Sequence, residues 1–472
     1  MYPFIRFLII ILSGYFFGIK GFLFSILLYH AYLFVMEKVF KLVPYSAQDR
    51  MFILSSKEDR FNLMGVLILE DDYDVEKMKE SIINRGIKQY KKLRCIQEIK
   101  HFEFWWKELP LSECLGRLNP FETRINFKKF NTIQDIIEYS YEELDILLKL
   151  DKELPYKFIL IKNEGGNIKN MIIFKVDHNL ADGLGFIGLI TALGENYSLN
   201  LFPRSMKKKA PSLFQHCLSL LQFPYYLIFP FIEHFFILYS GDTPFKTEKK
   251  KTGKPKICVS KQYKFDEYSK INKKLGITFN DMMMAAFSAA IKLYCKENYK
   301  VIPKKVITIN PISNRGLPSD PKKLQITNDS SGIGCTLKLV DDPIKECSEI
   351  SKEFAFKLRN LYLRKIVKFA SDMCNIIAPY FLSKLMYNFA YRHCDILFSN
   401  VALPKEALIY GKTRVKEIYS LLTPGNTKAL VAIYSYNGYF SWTICVDRCL
   451  DLSPDLLMKY VDDQMEYFKS KC

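Results

Sequence analysis

The stretch Met171-Ile-Ile-Phe-Lys-Val-Asp-His-Asn-Leu-Ala-Asp-Gly183 joins a strand-like apolar run to a histidine at its end. His178 is one of six histidines in 472 residues, and Asp182 and Gly183 follow it after an interval of three residues. A histidine at a strand end with a carboxylate close behind suits general-base catalysis, because imidazole titrates near neutral pH. A packed histidine beside an Asp-Gly turn would give the same pattern, so the rest of the chain has to discriminate between the two.

Composition bounds the class of protein. A chain of 472 residues accommodates two or three domains, and its 49% hydrophobic and 15% aromatic content argues against disorder. The net charge of +18 suits a nucleic acid, an anionic membrane surface or an anionic substrate as partner. There is no zinc-finger spacing and no RNP-like motif, so we expect no nucleic-acid partner. The twelve cysteines are dispersed without a C-x-x-C pair, which predicts reduced thiols on the cytosolic side and no metal site. We also expect no bound cofactor.

The N-terminus is expected to be a membrane segment. Phe7–Ile19 and Gly21–Met36 carry no charge, and only Lys20 separates them. Together they are long enough to cross a bilayer once or to form a hairpin into one leaflet, and the number of spans stays open. The run is too long for a cleaved signal peptide and lacks a cleavage site at its end, so we predict a retained anchor over residues 1–41.

Two α/β halves are predicted after the anchor, over residues 42–203 and 257–472. Tyr156–Lys162 and Met171–Val176 are typical of strands in the first half, and a hairpin around Asn437-Gly438 is predicted in the second. Residues 204–256 connect the halves. They contain an apolar stretch, Leu213–Tyr239, which suits either docking on a membrane interface or a buried helix pair, and a Lys-rich linker, Lys246–Lys256.

Five segments in order resemble one family. Asp177-His178-x-x-x-Asp182-Gly183 resembles the H-H-x-x-x-D-G signature of bacterial-type wax ester synthase/diacylglycerol acyltransferases, within the CoA-dependent acyltransferase superfamily. The other segments are similar to that family's remaining motifs: Pro44-Tyr-Ser-Ala-Gln-Asp-Arg-Met-Phe52, Thr278-Phe-Asn-Asp-Met-Met-Met-Ala-Ala286, Asn310-Pro-Ile-Ser-Asn-Arg315 and Phe398-Ser-Asn-Val-Ala-Leu-Pro404. The resemblance implies an α/β fold of two chloramphenicol acetyltransferase-like halves with an active-site tunnel between them.

The resemblance also implies the chemistry. His178 would be the general base for direct attack of an alcohol on acyl-CoA, a co-substrate, without an acyl-enzyme. Asn280 would stabilise the oxyanion, although an asparagine at a helix start can also be a mere cap.

Supporting roles follow from the same resemblance. Asp182 would turn away from the tunnel and pair with Arg315, and Gly183 would permit a tight turn into the next helix. Ser399 and Asn400 would line the tunnel near the acyl chain. Asp177 stands where the family has its first histidine, and it is expected beside the substrate.

The acceptor alcohol stays open at this point. A fatty alcohol would give a wax ester and diacylglycerol would give triacylglycerol, while a sterol-like or secondary-metabolite alcohol is an alternative. Another alternative is a lipid- or CoA-binding membrane protein of the same fold without catalysis. A membrane location is expected, in the endoplasmic reticulum or plasma membrane with the catalytic part cytosolic. The sequence does not determine the oligomeric state.

Overall fold

The computed structural model describes residues 2–53, 62–101, 103–202, 240–299, 301–358, 364–369 and 393–471, and residues 372, 385, 388 and 391. The α-helices in this part are α1 (Tyr2–Lys38), α2 (Ala47–Ile53), α3 (Val75–Ile82), α4 (Leu111–Leu115), α5 (Ile133–Asp145), α6 (Gly183–Leu193), α7 (Phe265–Lys274), α8 (Phe279–Asn298), α9 (Pro343–Leu358) and α10 (Pro454–Lys471). The strands are β1 (Leu42–Pro44), β2 (Asn62–Leu69), β3 (Cys95–Lys100), β4 (Glu103–Glu108), β5 (Phe121–Ile125), β6 (Tyr156–Lys162), β7 (Asn170–Asp177), β8 (Pro255–Val259), β9 (Tyr263–Lys264), β10 (Lys305–Ser313), β11 (Ser330–Lys338), β12 (Ile396–Ala402), β13 (Ile409–Tyr410), β14 (Thr413–Leu422), β15 (Ala429–Tyr436) and β16 (Tyr439–Asp447).

The first large sheet has the strand order β13-β14-β2-β7-β6-β5. Every residue of β7 is buried, and β7 pairs antiparallel with both β2 and β6. A strand that is apolar on both faces is stable only where both faces are covered, which explains its central position. The predicted strands over residues 156–162 and 171–176 are confirmed.

The second large sheet has the order β11-β10-β12-β15-β16-β8, and β9 also pairs with β16. Strands β10, β12 and β15 run parallel, and α8 and α10 pack over one face of the sheet. The predicted hairpin β15–β16 is confirmed. Its two loop residues, Asn437 and Gly438, have φ of 49° and 81°, as a type I′ turn requires.

The second half contributes a strand to the first large sheet. Strand β14 belongs to the second half in sequence but pairs with β2, from Leu422 opposite Leu63 to Val415 opposite Leu69. Val415 and Leu421 are fully buried there, and one hydrophobic core contains residues of both halves. The pairing of β14 with β2 was not predicted from the sequence.

Helix α1 is one long helix interrupted at Gly18, whose φ of 63° is not helical. Within Leu8–Lys38 an 18-residue window has a mean hydropathy of 1.8, and that window is not buried against the protein. Length and composition would therefore allow this helix to cross a membrane, although an N-terminal signal sequence would show the same features. Its last turns pack on the protein, where Met36 contacts a small sheet of β1, β4 and β3 at Leu42 and Trp105.

The connection between the halves is partly described. The apolar stretch 213–239 lies outside the described residues. The Lys-rich linker is fastened to the second half: Thr252 and Gly253 donate backbone N–H groups to the Asp447 carboxylate at 3.0 and 2.8 Å. Lys249 and Lys250 are exposed beside it.

Candidate active site

Strand β7 carries His178 to a sharp turn. The Leu180 N–H donates to the carbonyl of Asp177 at 2.9 Å, and the Asp177 carboxylate accepts from the backbone and the side chain of Asn179 at 2.9 and 2.6 Å. Asp177 is buried and shapes the turn, while His178 is partly exposed. The expected contact of Asp177 with substrate stays a prediction.

Two neighbours fix the imidazole of His178. The Phe52 ring stacks on it, with centroids 3.8 Å apart and planes inclined by 22°. The Nδ1 atom lies 3.1 Å from Oδ1 of Asn328. Phe52 lies in α2 and Asn328 in the loop before β11, so parts of both halves converge on this histidine.

The amide nitrogen of Asn328 also forms hydrogen bonds. Its Nδ2 donates to Oδ1 of Asp49 at 2.8 Å and to the backbone carbonyls of His178 and Asn179 at 2.9 and 3.2 Å. The second oxygen of Asp49 accepts from Lys92 Nζ at 3.1 Å. A chain of hydrogen bonds therefore runs from a buried, paired carboxylate through an amide to the imidazole.

Asp182 pairs with Arg315, as expected. The Arg315 guanidinium donates to both carboxylate oxygens, at 2.9 and 2.7 Å. Asp182 also caps α6 by accepting from the Gly185 N–H at 2.8 Å, and it accepts from the Asp329 N–H at 2.8 Å. With these donors the Asp182 side chain connects Arg315 to the backbone at the start of α6 and at Asp329.

Gly183 corrects one expectation. Its φ is not positive, and a Cβ built on it would meet no other atom within 4 Å, so neither backbone nor packing requires glycine there. The close approach lies at Gly185, where a Cβ would be 2.9 Å from the Arg315 guanidinium and 3.2 Å from the Thr327 carbonyl. The glycine that the salt bridge needs is therefore Gly185.

Burial lowers the pKa of His178, and the nearby Asp182 carboxylate, a backbone hydrogen bond, Asn328 and Asp49 oppose that shift. Because burial is the largest influence, the imidazole is neutral at neutral pH. A neutral, partly exposed imidazole is able to accept a proton from a bound hydroxyl group.

Asn280 is not the cap of its helix. Thr278 caps α8, with Asp281 completing a capping box. The Asn280 side chain accepts from Asn400 at 3.1 Å, which joins the start of α8 to β12. The possibility that Asn280 is merely a cap is therefore wrong, and its role as an oxyanion donor stays a prediction.

Ser399 and Asn400 face opposite sides of β12. Asn400 is exposed and points to α8, where Phe398 also packs, whereas Leu397 packs in the core that the halves share. Because side chains alternate along a strand, Ser399 faces the first half together with Leu397. Only Ser399 of this predicted pair is directed toward the half that carries His178.

Three residues that contact His178 or its hydrogen-bond partner were not predicted from the sequence: Asp49, Phe52 and Asn328. Asp49 and Phe52 lie inside the quoted segment 44–52, and its place in the family pattern was the available signal. Asn328 follows His178 by 150 residues and stands in a loop without a distinguishing pattern.

Comparison with known proteins bears on the family. Residues 328–469 match the model of the WS/DGAT C-terminal domain, where WS/DGAT stands for wax ester synthase/diacylglycerol acyltransferase. A segment of 188 residues is 24% identical to a putative diacylglycerol O-acyltransferase of Mycobacterium bovis, covering 38% of this chain and 40% of that protein. A probable diacylglycerol O-acyltransferase of Mycobacterium tuberculosis matches to the same extent. The match thus spans less than half the length of these relatives.

Solved structures share the fold over most of the chain. The wax ester synthase/diacylglycerol acyltransferase of Marinobacter aquaeolei is 15% identical, with a TM-score of 0.60 over 91% of this chain and 99% of that one. A starter condensation domain of rhizomide synthetase, bound to C8-CoA, is 9% identical with a TM-score of 0.60 over 91% and 94%. The trichothecene 15-O-acetyltransferase of Fusarium sporotrichioides is 11% identical with the same TM-score and coverage.

Residues 328–469 include one of the five sequence motifs, 398–404, and the fold similarity extends over both halves. The predicted resemblance to the wax ester synthase/diacylglycerol acyltransferase family is confirmed: residues 328–469 match its C-terminal domain, and the chain is similar in fold to a solved enzyme of that name.

Proposed function

We propose that this protein is an acyl-CoA-dependent O-acyltransferase that transfers a fatty acyl group to a lipid alcohol. The observation that carries the proposal is the neutral, partly exposed imidazole of His178 at the end of β7. Asp182 is committed to Arg315 and is not a competing base. The family match of residues 328–469 and the diacylglycerol acyltransferase relatives support this reaction class.

The reaction needs one base and no covalent enzyme intermediate. His178 takes the proton of the acceptor hydroxyl while the oxygen attacks the thioester carbonyl carbon. The tetrahedral oxyanion collapses, the C–S bond breaks, and the imidazolium returns the proton to the departing CoA thiolate. The products are the ester and free CoA, and His178 is neutral again. Asn280 is proposed as the donor to the oxyanion.

The substrates would meet in a tunnel between the two halves. Ser399 faces that region from β12, and the open space beside Gly183 leaves room for a substrate chain. A bound C8-CoA in the rhizomide synthetase condensation domain supports acyl-CoA as the donor. The net charge of +18 favours approach of the CoA phosphates.

The acceptor is proposed to be a fatty alcohol or diacylglycerol. This choice follows the printed activities of the Marinobacter enzyme and of the mycobacterial relatives. Helix α1, long and apolar enough to cross a bilayer, would hold the protein at the membrane where such alcohols dissolve. We propose the endoplasmic reticulum or the plasma membrane, with the catalytic part in the cytosol.

A second candidate acceptor is the hydroxyl group of a secondary metabolite or a sterol-like alcohol. The observation in its favour is the equal fold similarity to the trichothecene acetyltransferase, whose name describes such an acceptor. A CoA- or lipid-binding protein without catalysis is the third possibility, and Asp177 in place of the first histidine is the feature that favours it.

An assay of the full chain in membranes separates these possibilities. Palmitoyl-CoA is offered with hexadecanol, dioleoylglycerol or a sterol, and the lipid extract shows which ester forms. We expect His178→Ala to lower kcat by about 10²- to 10⁴-fold, the usual contribution of a positioned base. His101→Ala is the control, since the described partner of His101 is Tyr32 of α1. Ester formation by His178→Ala at the wild-type rate would contradict the mechanism.

A further inference from the structure

We propose that Asn328 and Asp49 are positioning residues that hold His178 in the tautomer with its proton on Nδ1, which makes Nε2 the basic atom. This inference rests on the proposed function of His178 as general base. Asp49 lies within the motif 44–52, whereas Asn328 lies in none of the five motifs.

The orientation of the Asn328 amide is determined by its surroundings. One end faces three acceptors: the Asp49 carboxylate at 2.8 Å and the carbonyls of His178 and Asn179 at 2.9 and 3.2 Å. The two backbone carbonyls have no proton to donate, so the NH₂ group has to occupy this end. A flipped amide would bring its oxygen against a carboxylate and two carbonyls in a buried place, which is strongly unfavourable.

The tautomer of His178 follows from that orientation. With NH₂ directed at the three acceptors, Oδ1 of Asn328 is the atom that lies 3.1 Å from Nδ1 of His178. An amide oxygen only accepts hydrogen bonds, so Nδ1 has to carry the proton. In the neutral ring the lone pair then belongs to Nε2. An amide that stands 150 positions away in sequence therefore holds the protonated ring nitrogen, together with the backbone hydrogen bond at His178 itself.

Asp49 is held firmly enough to perform this task. The side chain is 4% exposed, and it accepts from Lys92 Nζ at 3.1 Å and from the Trp106 indole at 3.2 Å. Lys92 also donates to the Leu180 carbonyl at 2.8 Å, which ties the carboxylate to the turn that bears His178. A buried carboxylate with these partners keeps one orientation.

Asn328 lies in the segment 327–330, which we call the clamp loop. Each residue of this segment forms a hydrogen bond to a residue outside it. Thr327 accepts from Arg315 at 2.7 Å, and the Asp329 N–H donates to Asp182 at 2.8 Å. Ser330 and Gln48 exchange two hydrogen bonds, at 2.8 and 2.9 Å. The amide is therefore prepositioned from both sides before a substrate binds.

The neutral amide between Asp49 and His178 also bears on the charge of the base. A carboxylate directly on Nδ1 would favour the imidazolium, whereas the amide passes on only part of the influence of Asp49. The other charged groups around the ring are Asp182, paired with Arg315, and Lys92, paired with Asp49. Asn328 thus orients the base and leaves it neutral at neutral pH.

The test combines the tautomer with kinetics on the full chain in detergent. The ¹⁵N shifts of the histidine rings distinguish a protonated from an unprotonated ring nitrogen, and His178→Gln identifies the signal of residue 178. We expect Nδ1 to be protonated in the wild type. An Nε2-protonated ring would overturn the inference, whether or not the protein makes an ester.

The kinetic variants are Asn328→Ala and Asn328→Asp, with Asn163→Ala as the matched control. Asn163 is another buried asparagine with two backbone partners, Phe127 and Lys128, outside the site. We expect Asn328→Ala to lower kcat roughly 10- to 100-fold at nearly constant KM. This loss is smaller than the loss expected on removing the base itself, because His178 is still present but less well oriented. Asn328→Asp should move the acid limb of the pH profile to higher pH.

Two results are distinguishable in this design. An Asn328→Ala protein with the kcat and pH profile of the Asn163→Ala control contradicts the positioning role alone. A wild-type protein that forms no ester with any alcohol contradicts the proposed function, and the ring shifts still decide the tautomer.

Discussion

At the residue scale, two glycines beside the Asp182–Arg315 pair differ in what a methyl group would meet. A Cβ at Gly183 enters open space, whereas one at Gly185 lies 2.9 Å from the Arg315 guanidinium. We expect Gly185→Ala to lower stability by about 1–3 kcal/mol, the usual cost of overpacking, because the guanidinium cannot retreat without leaving Asp182. Gly183→Ala should leave stability within about 0.5 kcal/mol.

Urea unfolding of both variants checks this contrast. Equal midpoints for the two glycine variants would show that the salt bridge adapts to the added methyl group. Activity adds a second readout, since a substrate chain in the open space beside Gly183 would make Gly183→Ala lose activity without losing stability.

The pH dependence belongs to His178. Burial places its folded pKa below the ordinary 6.5. As pH falls from 6.5, the unfolded chain takes up this proton first, so His178 contributes a loss of stability that begins there and levels off below the folded pKa. The base stays neutral to lower pH than a free imidazole, so the acid limb of kcat/KM should have a midpoint below 6.5.

Two measurements test this expectation: the pH dependence of unfolding and the pH dependence of kcat/KM. The His178→Gln variant should lose this part of the pH dependence of unfolding, because glutamine does not titrate. A kcat/KM profile of the wild type with an acid midpoint above 6.5 would mean that the neighbouring carboxylates outweigh burial.

His178, Asp182 and Arg315 were predictable from the sequence because they lie in recognisable motifs. Asp49 and Phe52 lie in the quoted segment 44–52, but no local pattern predicts that Phe52 stacks on a histidine over 120 residues downstream or that Asp49 bonds to that histidine's partner, Asn328. Asn328 could not be found, since its role exists only once the clamp loop lies against the turn after β7.

At the scale of elements, the start of α8 separates a structural role from a chemical one. Thr278 caps the helix, so Thr278→Ala should cost about 1 kcal/mol of stability. Asn280 is bonded to Asn400 instead, and Asn280→Ala should leave the cap intact. If Asn280 stabilises the oxyanion, its loss should lower kcat by about 10²- to 10³-fold.

Thermal unfolding and initial rates on the two variants give four values that test this separation. Asn280→Ala with normal kcat would remove it from the reaction, and the oxyanion donor would then have to be sought elsewhere. A large stability loss in Asn280→Ala would instead assign its main role to joining α8 and β12.

Local elements were predictable and long-range ones were not. The β15–β16 hairpin follows from Asn437-Gly438, because these two residues accept the positive φ of a type I′ turn. The pairing of β14 with β2 joins residues that are some 350 positions apart, and no turn residue between them encodes it. The same holds for the opposite directions of Ser399 and Asn400, which depend on what covers each face of β12.

At the scale of the whole molecule, the halves are interlocked rather than merely adjacent. β14 completes the first sheet with a strand from the second half, and the clamp loop joins β10–β11 to the turn bearing His178. A site assembled this way depends on both halves being folded together. The geometry of His178 is therefore a property of the assembled chain and not of either half.

The exposed apolar part of helix α1 and the part that packs on the protein can be removed separately by deletion. Residues 32–36 pack on Trp105, and Tyr32 bonds to His101 at 2.9 Å, whereas Tyr15, Phe16 and Phe17 are exposed. Deleting residues 2–28 should release the protein from membranes while the fold survives, and activity toward a short, water-soluble alcohol should persist. Deleting residues 2–40 should in addition destabilise the small sheet. Flotation with liposomes, unfolding midpoints and ester formation check each step, and a 2–28 deletion that still floats would mean that another surface holds the membrane.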